Sequence, residues 1–334
     1  MKIKIGINGL GRIGRMVIRS LIENNNKKIE IKHINSRSSA EIMAPLLKYD
    51  SVHGKFNCEI TNGKNYLNIN DKKITFSQYS DLNEIKWKNL GVDYVLECTG
   101  KFNSKDKLIS HIKNGAKKVI VSAPCKNADK TIVYGVNHKS INKNDLIISA
   151  ASCTTNCLAP VAYIINNEFK IENGFMTTIH SYTTDQRLLD NSHKDPRRAR
   201  SAGQSIVPTS TGASRAIGEI IPELKGKLEG VAMRVPTSNV SLVEFVFNSK
   251  KKLSVKKIND SFVKSSKKEL NKVLTITEEK LVSIDFNHNP HSAIVDLSLT
   301  SVVGENMGKV SAWYDNEWGF ASRMNDLVEY IHKI

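Results

Sequence analysis

The feature that most constrains the fold is a glycine pattern near the start of the chain. Residues Gly9–Gly14 read Gly-Leu-Gly-Arg-Ile-Gly and match the pattern G-x-G-x-x-G. An alternating stretch, Ile3–Asn8, predicts a strand before the motif, and apolar residues at helical spacing over 13–22 predict a helix after it. The first glycine permits a tight turn, the second a close approach of the backbone to a pyrophosphate, and the third close packing of helix and strand. The motif therefore predicts a dinucleotide site with the pyrophosphate at the helix N-terminus.

Strand-like and helix-like segments alternate through the first half of the chain. We predict strands over residues 3–8, 29–35, 93–97, 118–122 and 145–149, and a hairpin whose turn is signalled by Asn62-Gly63. Such βαβ alternation is typical of a mostly parallel sheet with helices on both faces. The first half is therefore expected to be a Rossmann-type dinucleotide-binding domain of the α/β class.

The second half of the chain has a different pattern. Strands are predicted over residues 175–180, 230–235, 240–247, 293–299 and 309–313, with Gly174 and Gly230 at the starts of two of them. Several alternate in polarity, which indicates an α+β catalytic domain with a mostly antiparallel sheet covered on one face. We draw the domains as 1–151, joined by a C-terminal helix at 318–334, and 152–317.

Composition limits the classes of function. The chain of 334 residues has 49 Lys and Arg against 33 Asp and Glu, a net charge of +16. That charge is compatible with binding phosphate or nucleic acid, but the basic residues are diffuse and we favour solvated surface charge. No apolar run approaches the ~18 residues of a membrane span, and no signal peptide is apparent. Five cysteines without metal-site spacing favour reduced thiols, a cytoplasmic location and no metal.

Cys153 is the candidate nucleophile. It follows the apolar stretch 146–148 and precedes an apolar, helix-like segment. A thiol at a helix N-terminus lies near unpaired backbone N–H groups, which favour the thiolate. Pro160 leaves two possibilities open: a helix that begins near Pro160, or one that begins near Cys153 and accommodates the proline.

The end of the second predicted strand bears on the cofactor. It reads Ile34-Asn35-Ser36-Arg37-Ser38 and lacks the carboxylate that usually binds the ribose hydroxyls of NAD. Arg37 is suited to a 2′-phosphate, and Ser36 can add a hydrogen bond. Alternatively, Arg37 is a solvated loop residue and NAD binds without the carboxylate. We favour NADP, or the use of both cofactors.

Further polar residues are candidates for catalysis and anion binding. His180 ends a predicted strand and is suited to hold a thiolate or to transfer a proton. A guanidinium cluster at 197–200, a hydroxyl-rich run at 209–212 and Arg234 within an apolar strand are all suited to phosphate. Charge on an apolar strand usually needs a partner.

Taken together, the motifs resemble those of the glyceraldehyde-3-phosphate dehydrogenase family, of the phosphorylating bacterial type, over essentially the whole chain. The resemblance rests on six segments: residues 7–15, 48–54, 149–157, 180–186, 209–212 and 313–319. It implies that Cys153 attacks the aldehyde of glyceraldehyde 3-phosphate and that His180 takes the hydroxyl proton as hydride passes to the nicotinamide. Inorganic phosphate then cleaves the thioester, which yields 1,3-bisphosphoglycerate.

The resemblance also implies binding roles for individual residues. The substrate phosphate is assigned to Thr183, Arg198 and Arg234, with the choice of arginine within 197–200 left open. The attacking phosphate is assigned to Ser152, Thr154, Thr211 and Gly212. The cofactor is assigned to Gly9, Gly11, Arg12, Ile13, Gly14, Ser36, Arg37, Ser122 and Asn316. The family is usually a homotetramer, in which residues 181–204 reach towards a neighbour's cofactor. Many NAD-dependent members have Asp where Ser36 stands, and Arg is frequent at the position of Ser80, so the cofactor preference does not carry over.

Two rival functions remain open at this stage. Erythrose-4-phosphate dehydrogenase uses the same Cys–His pair, but the intact run at 209–212 fits an attacking phosphate better than water. An RNA-binding protein would use the net positive charge, but the sequence shows neither an aromatic stacking platform nor a clustered basic helix.

Overall fold

The computed structural model describes residues 2–334, which form two compact units. One unit comprises residues 2–132, 138–152 and 321–334, and the other comprises 133–137 and 153–320.

The first unit contains eleven strands and three helices, and the helix that closes the chain extends into it. They are β1 (Ile3–Asn8), α1 (Arg12–Glu23), β2 (Ile29–Asn35), α2 (Ala40–Lys48), β3 (Tyr49–Asp50), β4 (Gly54–Lys55), β5 (Ile60–Gly63), β6 (Tyr66–Ile69), β7 (Lys72–Ser77), β8 (Tyr94–Glu97), α3 (Lys105–Lys113), β9 (Lys118–Val121), β10 (Lys130–Thr131) and β11 (Ile147–Ser149).

The second unit contains the remaining eight strands, three complete helices and the start of the last helix. They are α4 (Cys153–Phe169), β12 (Ile171–Ser181), β13 (Val207–Ser210), α5 (Ala213–Ile220), β14 (Leu228–Val235), β15 (Ser241–Ser249), α6 (Val255–Ser266), β16 (Leu274–Thr277), β17 (Ala293–Asp296), β18 (Ser301–Val303), β19 (Met307–Tyr314) and α7 (Trp318–Ile331). The last of these, α7, runs from the second unit into the first.

A nine-stranded sheet forms the centre of the first unit, in the order β10-β11-β9-β8-β1-β2-β7-β6-β5. All neighbours from β10 to β7 pair in parallel, and only the β5-β6-β7 meander is antiparallel. The side chains of Ile5 and Ile7 on the central strand are fully buried. Burial of such a side chain stabilises the fold by roughly 1.5–3 kcal/mol. The predicted Rossmann-type, mostly parallel sheet is confirmed.

The turn predicted at Asn62-Gly63 is wrong by two residues. Both residues belong to β5 and pair with β6, with Gly63 opposite Tyr66. The loop is therefore Lys64-Asn65. A Cβ on Gly63 would lie 2.4 Å from the Tyr66 ring, so this glycine makes room for an aromatic side chain instead of forming the turn.

The second unit is built on an eight-stranded sheet in the order β13-β14-β12-β15-β19-β17-β16, with β18 paired to β19. Only β12–β14 and β16–β17 are parallel pairs, so the prediction of a mostly antiparallel sheet is confirmed. Helix α4 packs against α5 and α6 and against β15, β17 and β19 of this sheet. The helix begins at Cys153 and contains Pro160, which decides between the two possibilities left open by the sequence.

Three predicted strand limits in this unit are wrong. Gly174 and Gly230 lie inside β12 and β14, where a Cβ would meet the Phe245 ring at 2.8 Å and the Met176 carbonyl oxygen at 2.6 Å, respectively. These glycines serve close packing instead of starting strands. The strand predicted over 293–299 ends at Asp296, since its carboxylate accepts the Ser298 N–H at 3.1 Å and caps a short 3₁₀ helix over 297–299.

Candidate active site

The chain turns sharply just before the candidate nucleophile. Ala151 has a φ of 58°, a left-handed conformation that is costly for a residue with a Cβ. The Ser149 hydroxyl accepts the Ala151 N–H at 3.1 Å and helps to hold this turn. Cys153 then occupies the first position of α4, where its side chain is half-buried and receives a hydrogen bond from the Thr154 backbone N–H.

The structure brings Cys153 and His180 together. His180 lies near the carboxyl end of β12, is 3% exposed, and places its Nε2 3.5 Å from the Cys153 Sγ. That distance permits a hydrogen bond to sulfur and proton transfer between the two side chains. The two residues are 27 positions apart in sequence, and the β12 strand supplies the return path from the end of α4.

Arg234 approaches the other side of the imidazole. It lies on β14 directly beside His180 in the parallel register. Its Nη1 is 2.6 Å from His180 Nδ1 and donates to the Ser181 carbonyl oxygen at 3.0 Å. The Ser181 carbonyl oxygen is itself 2.7 Å from the same ring nitrogen.

These neighbours determine the charge state of the pair. Burial raises the pKa of the Cys153 thiol, while the Arg234 guanidinium and the Thr154 hydrogen bonds act in the opposite direction without outweighing it. Burial, followed by Arg234, lowers the pKa of His180 to about 3. Burial therefore disfavours the charged forms of both side chains. The backbone N–H groups at the start of α4 lower the pKa of Cys153, in the direction predicted from the sequence, but burial has the larger effect.

Sequence reasoning missed a buried hydroxyl bridge beside the pair. The Tyr314 Oη lies 2.9 Å from the hydroxyl of Thr154 and 2.9 Å from that of Thr178. The ring of Tyr314 meets the His180 ring edge-on at 6.0 Å. The bridge ties the first turn of α4 to β12 and β19, so it controls where Cys153 lies relative to His180. The only sequence signal for this bridge was that Tyr314 directly precedes Asp315 and the predicted site residue Asn316.

Asn316 is held in a second polar group. Its Oδ1 accepts hydrogen bonds from the hydroxyls of Ser181 at 2.9 Å and Ser241 at 3.0 Å. Neither serine was predicted as a site residue. Their hydroxyls orient the Asn316 side chain so that its NH₂ group faces away from them.

One arginine of the 197–200 cluster, Arg198, is anchored to the sheet by a hydrogen bond. The Nε of Arg198 donates to the Thr209 hydroxyl on β13 at 2.8 Å, and its guanidinium is paired with Asp185 and with Asp195. Arg200 instead forms an exposed pair with Asp190. Arg198 is therefore the member of the cluster that the fold positions.

The other predicted phosphate residues lie on loops of the second unit or at its border. The Thr183 hydroxyl is 3.4 Å from the Gln186 side chain, and Thr211 accepts the Ala213 N–H at 3.2 Å. Gly212 is the N-cap of α5, and a Cβ there would meet no atom within 4 Å, so its backbone is open to a ligand. Ser152 is half-buried and belongs to the first unit.

A cavity of about 450 Å³ in the first unit carries the glycine loop. Four of the predicted cofactor residues line this cavity: Gly9, Gly11, Ser36 and Arg37. Its lining also includes Ser80 and other residues that were not assigned to the cofactor. A Cβ on Gly11 would meet nothing within 4 Å, whereas one on Gly14 would lie 2.1 Å from the Gly9 carbonyl oxygen. Gly9 itself has a φ of 99°. The loop thus has the open approach and the tight packing that a dinucleotide pyrophosphate requires.

The five other predicted cofactor residues do not line this cavity: Arg12, Ile13, Gly14, Ser122 and Asn316, of which Asn316 belongs to the second unit. The Arg12 guanidinium donates to both carboxylate oxygens of Asp50, at 2.5 and 3.1 Å. Ser122 follows β9, and its N–H donates to the Glu97 carbonyl oxygen at 3.0 Å. Sequence reasoning did not identify Asp50, because nothing in the local pattern marks it as a partner of α1.

A buried polar network supports the floor of the cavity. The Asn8 amide donates to the Glu97 carboxylate at 2.6 Å, and the Asn35 amide donates to the Asn8 oxygen at 2.8 Å. Asn8 and Asn35 also line the cavity. The network joins the carboxyl ends of β1, β2 and β8, which is the edge where ligands bind in open parallel sheets.

Residues 2–334 lack both a membrane-spanning helix and a metal-binding cluster. No helix there is long and apolar enough to cross a bilayer. The same residues contain no group of three or more His, Cys, Asp and Glu side chains arranged to hold a metal ion.

A glycine-loop dinucleotide cavity and a cysteine paired with a histidine place the protein in the class of NAD-dependent dehydrogenases. Comparison with known proteins gives the family. The model described as "Glyceraldehyde 3-phosphate dehydrogenase, NAD binding domain" matches residues 3–105, and the corresponding C-terminal domain model matches residues 152–316. The chain belongs to the glyceraldehyde-3-phosphate dehydrogenase family.

Curated relatives match along nearly the full chain. The chain is 48% identical to "Glyceraldehyde-3-phosphate dehydrogenase 2" of Bacillus subtilis, over 99% of this chain and 97% of that protein. It is also 48% identical to "Glyceraldehyde-3-phosphate dehydrogenase" of Cereibacter sphaeroides, over 98% and 97%, and of Geobacillus stearothermophilus, over 99% and 98%. The family resemblance predicted from the sequence is confirmed.

Proposed function

We propose that Cys153 and His180 carry out the phosphorylating oxidation of D-glyceraldehyde 3-phosphate in this chain. The chain is an NAD-dependent enzyme of the family that converts this aldehyde and inorganic phosphate to 1,3-bisphosphoglycerate. The observation that carries the assignment of roles is the 3.5 Å distance between the Cys153 Sγ and the His180 Nε2. No other thiol among residues 2–334 forms a comparable contact with an imidazole.

The proposed steps follow from the positions of these atoms. His180 Nε2 takes the thiol proton, and the Cys153 sulfur attacks the aldehyde carbon. The imidazolium then returns the proton to the former carbonyl oxygen, which gives a thiohemiacetal and a neutral His180. Bound NAD supplies the acceptor for the hydride that leaves this carbon. His180 takes the hydroxyl proton in the same step, and the carbon becomes a thioester. An oxygen of inorganic phosphate then attacks the thioester carbonyl, and the sulfur leaves as a thiolate.

We assign the substrate phosphate to Arg234, Arg198 and Thr183. Arg234 supports this because it forms no ion pair with a carboxylate among residues 2–334 and has a buried Nε without a partner. A half-buried guanidinium in that state favours an anion. The attacking phosphate is assigned to Thr211, Gly212, Ser152 and Thr154. The Thr154 hydroxyl is engaged by Tyr314, so Thr154 would contribute through its backbone.

Mass spectrometry of the trapped enzyme tests the covalent role of Cys153. Incubation with the aldehyde and NAD, without phosphate, is expected to add one phosphoglyceryl group to the peptide containing Cys153. Cys153→Ser should abolish the adduct, whereas Cys125→Ser, which removes the other half-buried thiol, should leave it in place. An adduct on any other residue, or none at all, rejects the assignment. Dependence of turnover on phosphate separates this reaction from hydrolytic oxidation of erythrose 4-phosphate. Both rival functions are disfavoured by the names of the relatives.

We further propose that the enzyme accepts NADP as well as NAD. Ser36 and Arg37 line the cavity of the glycine loop, and Arg37 is exposed and pairs with no carboxylate among residues 2–334. An unpaired guanidinium at this position is suited to a 2′-phosphate. Arg37→Gln should lower kcat/KM for NADP at least about tenfold and leave that for NAD within a few-fold. Equal losses with the two cofactors would show that Arg37 does not read the 2′-phosphate.

A homotetramer and a cytoplasmic location complete the proposal. Leu188 and Leu189 are 84% and 74% exposed, within the segment that the resemblance places against a neighbouring subunit. Large exposed apolar side chains in one segment favour an interface. All five cysteines are free thiols, in keeping with a reducing compartment. Sedimentation should give a tetramer, and Leu188→Asp together with Leu189→Asp should shift it to smaller species.

A further inference from the structure

A buried hydrogen-bond relay runs beneath the dinucleotide cavity, and the backbone of Tyr79 fixes its direction at one end. The Asn35 side chain, 4% exposed, accepts the Tyr79 N–H at 2.9 Å on its oxygen and donates from its nitrogen to the Tyr79 carbonyl oxygen at 3.0 Å. Because a backbone N–H only donates and a carbonyl oxygen only accepts, the Asn35 amide fits in one orientation. Its second N–H donates to the Asn8 oxygen at 2.8 Å, so the NH₂ group of Asn8 points the other way, towards Glu97.

An indole fixes the direction of the relay at its other end. The Nε1–H of Trp87 donates to His111 Nδ1 at 2.8 Å, and both side chains are fully buried. An indole nitrogen cannot accept a hydrogen bond, so Nδ1 is the acceptor and the ring proton of His111 is on Nε2. Nε2 lies 3.1 Å from the Glu97 carboxylate and therefore donates to it.

Glu97 is the residue at which the two arms of the relay meet. Its Oε2 accepts from Asn8 at 2.6 Å and from His111 at 3.1 Å. Its Oε1 accepts the Thr99 N–H at 2.8 Å and the Thr99 hydroxyl. A relay that donors enter from both ends needs one member that only accepts, and a carboxylate does so at both of its oxygens. A glutamine of the same shape would turn an NH₂ group towards these donors and leave a buried donor unpaired.

We propose that Glu97 is a positioning residue for the dinucleotide and that it acts by fixing the direction of this relay. Glu97 is 1% exposed and does not line the cavity, but four residues of the relay do: Asn8, Asn35, Tyr79 and Thr99. The pairing of Asn35 with Tyr79 also holds together the segments that follow β2 and β7, which continue into the cavity lining. Loss of the acceptor at Glu97 would therefore displace several binding groups of the cavity at once. The relay concerns the dinucleotide alone, so its test needs neither the aldehyde nor phosphate.

Calorimetric titration with NAD tests this role. Glu97→Gln is expected to weaken NAD binding at least about tenfold, because the unpaired donor displaces groups that the relay holds in place. KM for NAD should rise by the same factor, whereas kcat at saturating NAD should stay within a few-fold. Glu84→Gln makes the same chemical change at an exposed carboxylate of the first unit and should match the wild type. Wild-type binding by Glu97→Gln, or a fall in kcat without a rise in KM, would overturn the proposal. Wild-type binding by Gly11→Ala as well would instead show that NAD does not bind in this cavity.

Exchange of the carboxylate and the amide separates the direction of the relay from packing. Asn8→Asp places a second carboxylate against Glu97 and should weaken NAD binding at least as much as Glu97→Gln does. With both substitutions together, position 8 becomes the acceptor for Asn35 and for the new amide at position 97. The remaining mismatch then faces His111, which does not line the cavity. The double variant should bind NAD at least about threefold more tightly than either single variant. Simple addition of the two single losses would show that Glu97 only packs, and would overturn the proposal.

Neutron diffraction by the deuterated wild-type protein shows the direction of the relay without any substitution. Deuterium is expected on His111 Nε2 and not on Nδ1, and the ND₂ group of Asn8 is expected to face Glu97. Deuterium on His111 Nδ1, deuterium on either oxygen of Glu97, or a reversed Asn8 amide would reject the relay and the proposal with it.

Discussion

Buried His33 should make the first unit sensitive to mild acid. His33 lies on β2 and is 3% exposed, with its ring nitrogens 2.8 Å from the hydroxyls of Thr75 and Ser77. Its ring meets that of Trp87 edge-on at 5.8 Å. Burial lowers the pKa of His33 to about 4 from an ordinary value of 6.5, because the surroundings offer no charge to stabilise the imidazolium.

The sign and size of the effect follow from linkage. Between pH 6.5 and about 4 the unfolded chain binds a proton at this position and the folded chain does not, so the free energy of unfolding falls as the pH falls. A shift of about 2.5 pKa units corresponds to about 3 kcal/mol once the pH is below both values. At pH 5, which is still above the pKa in the folded state, the accumulated loss is about 2 kcal/mol.

His33→Gln isolates this contribution because glutamine does not titrate. Its free energy of unfolding should fall by about 2 kcal/mol less than that of the wild type between neutral pH and about pH 5. Urea denaturation at both pH values, followed by tryptophan fluorescence, measures the difference, and the contributions of other histidines cancel in the comparison. His332→Gln, at an exposed position of the C-terminal segment, should retain the wild-type pH dependence. Parallel pH dependence of His33→Gln and the wild type would refute the reasoning.

Four further substitutions test the structure. Gly14→Ala places a Cβ 2.1 Å from the Gly9 carbonyl oxygen and should lower both Tm and NAD affinity. Gly11→Ala places its Cβ where no protein atom lies within 4 Å and should lower NAD affinity alone. Equal losses of Tm in the two variants would contradict this. Asp50→Asn should cost about 2–4 kcal/mol of unfolding free energy at neutral pH, since Asp50 is buried against Arg12. Burial raises the pKa of Asp50, but hydrogen bonds from Arg12, His53 and Val52 lower it to about 2. The loss of unfolding free energy in Asp50→Asn should therefore vanish as the pH falls from 3.8 through about 2. A loss that persists below pH 2 would be evidence against the ion pair. Tyr314→Phe should slow acylation of Cys153 about tenfold or more with little change in KM, because it removes both bonds that hold Thr154 and Thr178; an unchanged acylation rate would show the bridge to be dispensable.

The strand–loop–helix start of the chain could be read from the sequence because its determinants are local. The predicted strands at Ile3–Asn8 and Ile29–Asn35 match the structure residue for residue. Alternating apolar residues and the glycine motif lie within the segment that they specify. By contrast, Gly174 and Gly230 are glycines because of strands far along the chain, and Gly63 makes room for the Tyr66 ring across its own hairpin. A single sequence does not distinguish a glycine that turns the backbone from one that makes room for a neighbour.

The site could be predicted only as far as each residue acts alone. A thiol after a strand and a histidine at a strand end were both recognisable. The directions of their pKa shifts were not, because the burial of both side chains and the approach of Arg234 depend on packing between α4, β12 and β14. Arg12 shows the same limit from the other side. The family resemblance assigned Arg12 to the cofactor, whereas the fold places the Asp50 carboxylate 2.5 Å from its guanidinium.

The parallel pairing of β12 and β14 is the step that local patterns could not supply and on which the chemistry depends. A one-residue shift of this register would move Arg234 to the opposite face of the sheet from His180, since side chains alternate along a strand. The register is held by Gly230, whose missing Cβ lets the Met176 carbonyl oxygen approach within 2.6 Å of that position four residues before the pair. Close packing at one end of the two strands therefore specifies which cation faces the imidazole at the other end. The same strand pair that builds the core of the second unit also sets the protonation chemistry at Cys153.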